Sequence, residues 1–159
     1  MSDSAPILHT LDTKQSLVIM GGLFFVRAHT LPVAEGINNL ITRLRASRPA
    51  AWGVLHFFEF ERPGLPDEPT RAAYAALMRD AKQAGRCTAL VTERLLMQSI
   101  VRSVVSGLRL LTKHEGATET FSSLAEAARW LESKRPEHAP SVTLASLESA
   151  LHALRDAQR

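Results

Sequence analysis

The densest group of side chains able to do chemistry flanks two short apolar runs. His56, Glu59, Glu61 and Arg62 come with the first, Asp67, Glu68 and Thr70 follow, and Glu93 and Arg94 lie just past the second. Neighbouring carboxylates can do general acid–base work when an apolar wall raises one pKa, and Phe58 and Phe60 are suitable wall residues. In an extended segment, however, alternation sends His56 to the face opposite Glu59 and Glu61, so the three do not converge on one metal ion. Carboxylates beside loops are most often solvated surface groups. We therefore expect His56, Glu59, Glu61, Arg62, Thr70, Glu93 and Arg94 to be ligand contacts near the carboxyl ends of the strands, and we assign no catalytic residue.

Other chemistries find little support. The six histidines are dispersed, without the His-x-x-x-His or His-Glu-x-x-His spacing of a helix-borne zinc site, so no metal is expected. Cys87 is the only cysteine, which rules out an internal disulfide, and at the start of an apolar run it is a small buried side chain rather than a nucleophile. No Gly-x-Ser-x-Gly elbow or phosphate-binding glycine loop is present, and no cofactor is expected. Arg94, Arg102 and Arg109, with Lys113 beyond, fall toward one side of a helix and could meet phosphates. No aromatic residues interleave with them, so a solvated face is the expectation and a nucleic-acid partner is not.

The elements that must position these residues follow from pattern. Ile7–Leu11 and Ser16–Met20 are extended segments joined by Asp12–Gln15, an antiparallel hairpin. Gly21-Gly22 interrupts the apolar pattern, after which Leu23–Val26 either continues the strand past a bulge or leads to the first helix. Val33, Ile37, Leu40, Ile41 and Leu44 recur at helical spacing over Pro32–Ala46. Trp52–Phe60 is nearly all apolar, as in a central strand covered on both faces. Arg62–Pro69 is a proline-rich loop, Thr70 is positioned to cap a helix ending near Gly85, and Cys87–Thr92 is another buried strand. A third helix starts near Glu93 or Arg94 with a broad stripe of Leu96, Ile100, Val101, Val104, Val105 and Leu108. A turn at Lys113–Gly116 leads to a strand ending at Phe121. Ser123 and Glu126 then have capping-box spacing, and Leu124, Ala127, Ala128 and Leu131 form one helical face.

Such an alternation predicts an α/β fold: a single mixed β-sheet of four to five strands with helices packed mainly on one face, plus a C-terminal appended helix. The 159 residues, 45% of them hydrophobic, suffice for one domain over 7–133, a linker at 134–140 and an amphipathic helix over 141–159. Leu144, Leu147, Leu151 and Leu154 stripe that helix, which packs on its own chain or forms a homodimer contact. The net charge of +3 is too mixed to name a partner, the start lacks a secretory leader, and the longest apolar run, Leu17–Val26, falls short of the roughly 20 residues a span requires. We expect a soluble, cytoplasmic protein without a membrane span.

The hairpin opening, the βα units and the ending Phe121…Glu126-Ala127…Trp130-Leu131 resemble the STAS-like domains related to anti-sigma-factor antagonists, over about residues 7–133. The resemblance implies a regulatory, non-catalytic module. In that family's regulatory branch an aspartate-serine pair at a strand-to-helix joint carries a phosphorylatable serine. The corresponding joint here, Glu59 to Thr70, has no serine, and Thr70 is its only hydroxyl. Function is thus expected to be non-catalytic binding, through a protein partner or a small ligand. Two alternatives stand beside it: an enzyme or small-molecule or lipid carrier with an apolar pocket lined by Phe57, Phe58 and Phe60, and a structural homodimer joined by the last helix.

Overall fold

The computed structural model describes residues 7–112 and 117–158. The turn expected at Lys113–Gly116 lies outside the described residues, as do the first six residues and Arg159. Among the described residues, a single mixed sheet holds six strands in sequence order: β1 (Leu8–Thr10), β2 (Gln15–Met20), β3 (Leu23–Ala28), β4 (Gly53–Phe58), β5 (Cys87–Val91) and β6 (Thr118–Phe121). The first three pair antiparallel, and β3 to β6 run parallel. Helices α1 (Ala34–Ala46), α2 (Glu68–Ala84) and α3 (Leu95–Thr112) make the crossovers; α4 (Leu124–Lys134) and α5 (Leu144–Asp156) close the chain.

The sheet has more strands than the four to five expected because Gly21-Gly22 is a hairpin turn rather than a bulge. Both glycines have positive φ, 55° and 88°, and Met20 pairs directly with Leu23. That is the two-residue loop whose twist suits a tight antiparallel hairpin. Leu23–Ala28 is therefore a strand of its own, and it is the one that starts the parallel half of the sheet.

Strands β3, β4 and β5 are buried on both faces, as a parallel sheet between two layers must be. One face carries Phe24, Val26, Val54, Phe58 and Leu90 against α1, α2 and α3. Successive crossovers of one hand place those three helices together. The other face carries Leu23, Phe25, Leu55, Phe57, Ala89 and Val91 against α4 and α5. Three of the five described helices thus share a face, and the last helix is no appendage. Leu147, Leu151 and Leu154 are buried against the sheet of their own chain, leaving Leu144 as the one exposed leucine of the stripe, which removes the stripe as a dimer contact.

The segment between α4 and α5 is fastened rather than loose. Glu132 accepts from the Arg135 guanidinium and from the Val142 amide at 2.7 Å, and Arg135 also donates to the Ala139 carbonyl at 2.7 Å. Thr143 and Ser146 then form a reciprocal capping box at the start of α5. Ser123 caps α4 as expected, but Glu126 reaches back to Ser122 rather than to the cap. Asp67, not Thr70, caps α2, accepting the Thr70 amide at 2.9 Å.

At the opposite end of the sheet, the buried Asp80 carboxylate accepts from three arginines: Arg45 at 2.9 Å, Arg48 at 3.0 Å and the fully buried Arg86. Burial pushes this carboxyl up, but the hydrogen bonds from Arg45 and Arg86 outweigh it and hold it below the ordinary carboxylate range. The cluster ties the ends of α1 and α2 to the start of β5.

If α5 is part of the core, Leu151→Ala lowers the unfolding free energy by about 2–5 kcal/mol, the usual result of emptying a buried leucine site. Urea denaturation measures this. Light scattering on the same variant should show the wild-type oligomeric mass.

Candidate functional site

The sheet itself separates the residues that sequence placed together. Glu59 leaves β4 toward α5, where its carboxylate accepts from Arg27 at 2.9 Å and from Arg155 at 2.8 Å. Burial raises its pKa and the hydrogen bonds from Arg155 and Arg27 lower it, with the lowering dominant. Glu59 is a clamp for the last helix. Glu61 and Arg94 form a solvent-exposed pair at 3.8 Å, and Arg62 and Glu93 are exposed as well. Thr70 is buried in the first turn of α2, against the Asp67 carboxylate that caps the helix. The seven residues expected to make one ligand contact do not form one.

His56 points the other way, into the layer under α2. It is fully buried, its ring is stacked on Phe58 at 4.4 Å, and Tyr74 lies 5.8 Å from it. Neither ring nitrogen has a protein hydrogen-bond partner. Burial without a compensating charge lowers its pKa to about 3, so the ring is neutral at pH 7. A neutral imidazole without a carboxylate or nucleophile beside it does not assemble a catalytic pair. Cys87 is equally inert. Burial pushes its thiol up to about 11, and its sulfur faces the Trp52 carbonyl at 3.8 Å.

The concavity of interest lies between α2 and α3 and runs along the sheet, from Thr88 and Thr118 at the amino ends of β5 and β6 to Phe58 and Phe60 at the carboxyl end of β4. Phe58, Phe60 and Leu90 line its floor side, Tyr74 and Met78 come from α2, and Met97, Val101, Val104, Val105 and Leu108 come from α3. Counted out to its open mouth the cleft encloses about 610 Å³, but only about 60 Å³ can take the centre of a water-sized group. It suits a slim chain or a small ring. Phe57, expected as a third wall, faces α4 and α5 instead, because strand alternation turns it away from Phe58.

Three of the residues around this apolar cleft carry hydroxyls without a protein partner: Tyr74, Thr88 and Thr118. Thr88 and Thr118 are register partners on β5 and β6. Burial, with a smaller contribution from the Asp12 charge, pushes the Tyr74 phenol well above its ordinary pKa, so it keeps its proton and can donate. An apolar cleft with a small number of polar groups is the usual form of a small-molecule site. No protein-family model, curated protein or solved structure matches the chain.

Sequence reasoning offered an apolar pocket only as an alternative and named two of its walls, Phe58 and Phe60, because the remaining walls are ordinary core residue types. A further signal was the breadth of the α3 stripe, which includes Ile100 and Val104. Tyr74, Thr88 and Thr118 had no pattern to set them apart.

The buried His56 gives a prediction with a definite sign. Its folded pKa lies below its unfolded value of about 6.5, so the unfolded chain gains the proton first and stability falls as pH drops from about 6.5 toward 3. Between pH 6.5 and 5 this single group removes about 2 kcal/mol. Urea unfolding of wild type and His56→Phe at both pH values should show that difference only in the wild type.

Proposed function

We propose that the protein is a non-catalytic binding module of STAS-like type that takes a small, mostly apolar ligand in the cleft between α2 and α3. The cleft with its three hydroxyls lacking protein partners is the observation that carries this reading. A buried hydroxyl without a partner costs about 1–3 kcal/mol; these three are covered in the unliganded cleft, so a bound polar head would recover that cost on reaching them as the cleft walls part. The ligand class is therefore an aliphatic or small aromatic body with one hydroxyl, carbonyl or carboxyl group. The STAS-like part rests on the hairpin followed by a parallel βα run with its crossover helices on one face.

A non-catalytic role is favoured by the dispersal of the titratable groups. Glu59 is engaged by two arginines on the far side of the sheet, His56 is sealed beneath α2, and the Glu61–Arg94 pair faces solvent. Regulation by phosphorylation at the expected joint has little support, since the Thr70 side chain is buried within the first turn of its helix.

Medium-chain aliphatic alcohols and acids serve as probes, with binding read by native mass spectrometry and by thermal shift. We expect binding to the wild type and its loss in Val104→Trp, which fills the cleft mouth. Thr88→Val should weaken a polar-headed probe roughly tenfold, the equivalent of one hydrogen bond, while leaving a plain hydrocarbon unaffected. Absence of any shift across the probe panel, or equal binding by Val104→Trp, would overturn the reading. So would turnover of an ester or phosphate that is lost in Glu59→Gln.

A further inference from the structure

Helix α3 has a second apolar face that its own chain does not cover. Leu95, Leu96, Leu110 and Leu111 are 80%, 62%, 83% and 78% exposed, on a helix whose buried side, Met97, Val101, Val105 and Leu108, rests on the sheet and α2. By length and composition α3 is also the one described helix apolar enough to cross a membrane, although those four residues hold it against the fold. Between the two leucine pairs, the exposed residues are Ser99, Arg102, Ser103, Ser106 and Gly107, with Arg102 at the rim of the strip, about 100° round the helix from Ser103. A carbon added at Gly107 would meet nothing within 4 Å, and its φ is unremarkable. Packing within the chain therefore gives no reason for a helix-weakening glycine at this position.

We propose that this face is where a second copy of the chain docks, α3 against α3, antiparallel, about a two-fold axis at Ser103. The sequence of the face is self-complementary in the way such an interface demands. Leu95 and Leu111 are equidistant from Ser103, as are Leu96 and Leu110, and Ser99 and Gly107. An antiparallel pair centred there brings the leucine pair at the start of one helix onto the leucine pair at the end of the other. Leu96, Ser99, Ser103, Ser106 and Leu110 also recur at three and four residues, the spacing of a helix–helix seam. The small residues at the crossing let the backbones approach closely, which accounts for Gly107.

A lipid surface fits the face less well. Its centre offers hydroxyls and a glycine where insertion would be deepest, and α3 has no aromatic side chain. The open edge of β6 does not extend the contact either, since Arg109 donates to the Thr118 carbonyl on that edge. An 18-residue helix about 27 Å long and about 10 Å wide covers on the order of 300 Å² per copy, an area typical of weak, reversible association. The dimer is accordingly expected to form in the micromolar range. It is independent of whether the cleft binds a ligand.

Sedimentation velocity over a concentration series, together with oxidative cross-linking, tests it. Ser103→Cys should give a disulfide-linked dimer under mild oxidation, because the two-fold brings the two introduced thiols together while Cys87 is buried. Leu144→Cys on the opposite side of the molecule should not. Leu96→Glu with Leu110→Glu should raise the dissociation constant by roughly a hundredfold without altering the circular dichroism spectrum, since both leucines are exposed in the single chain. A wild type that stays monomeric into the high micromolar range overturns the proposal. A dimer that survives Leu96→Glu/Leu110→Glu, or one in which Ser103→Cys does not cross-link, does so too. Cosedimentation of a monomeric wild type with phosphatidylserine vesicles would reassign the face to lipid.

Discussion

The fold is governed by one constraint: its central strands are apolar on both sides, so both faces of the sheet must be covered. Phe24 and Phe25, Val54 and Leu55, and Phe57 and Phe58 point alternately to the two layers, and all six are buried. Three crossover helices of the same hand can cover only one face. The second face depends on the chain beyond β6, and α4 with four buried residues is too short to cover it alone. α5 completes the layer, so the helix that sequence set apart as an appendage is what makes a double-faced sheet tenable. Its attachment is reinforced at both ends. Pro140 lies against Gly21 so closely that a Cβ there would fall 2.5 Å from its ring, and Arg155 is paired with Glu59.

The same requirement explains why the conspicuous charges are structural. Ionic groups at the two ends of the sheet connect elements that hydrophobic layers alone would leave free to slide. Asp80 gathers arginines from α1 and from the start of β5, and Glu59 joins β3 to α5. A buried carboxylate of this kind is tolerated only because its partners are in place, since removing them would strand a charge away from water. Glu59, chosen from sequence as a ligand contact, is engaged in this way and is not free to serve a second role.

Much of the architecture was legible in the sequence because periodicity reports burial directly. The stripes of α1, α2 and α4 and the apolar runs of β4 and β5 face the layers their spacing implied, whereas Leu96, counted in the α3 stripe, faces outward and Met97 is buried in its place. Turn chemistry was less transparent: Gly21-Gly22 permits either a bulge or a hairpin, and only the pairing of Met20 with Leu23 distinguishes them. The leucine stripe of α5 correctly signalled burial, but periodicity does not say against which surface. The site was largely illegible because sequence proximity differs from spatial proximity across a sheet. Alternation already set His56 and Glu59 on opposite faces, but nothing local shows that Glu59 is taken up by Arg27 and Arg155, 32 and 96 residues away.

The hydroxyls around the cleft are difficult to attribute to packing alone. Threonine is close in shape to valine and equally suited to a strand, so Thr88 and Thr118 gain nothing structural from their oxygens. Leu90, the next residue of β5 on the cleft side, shows that an apolar residue serves on that face. Two such hydroxyls sit at paired positions of adjacent strands, and a buried tyrosine without a protein partner borders the same cleft. Valine and phenylalanine would relieve all three unsatisfied groups at once, each by about 1–3 kcal/mol. Thr92 has an unpartnered hydroxyl away from the cleft, so such a group alone marks no site; it is the grouping of three around one apolar concavity that the proposed polar-headed ligand would account for.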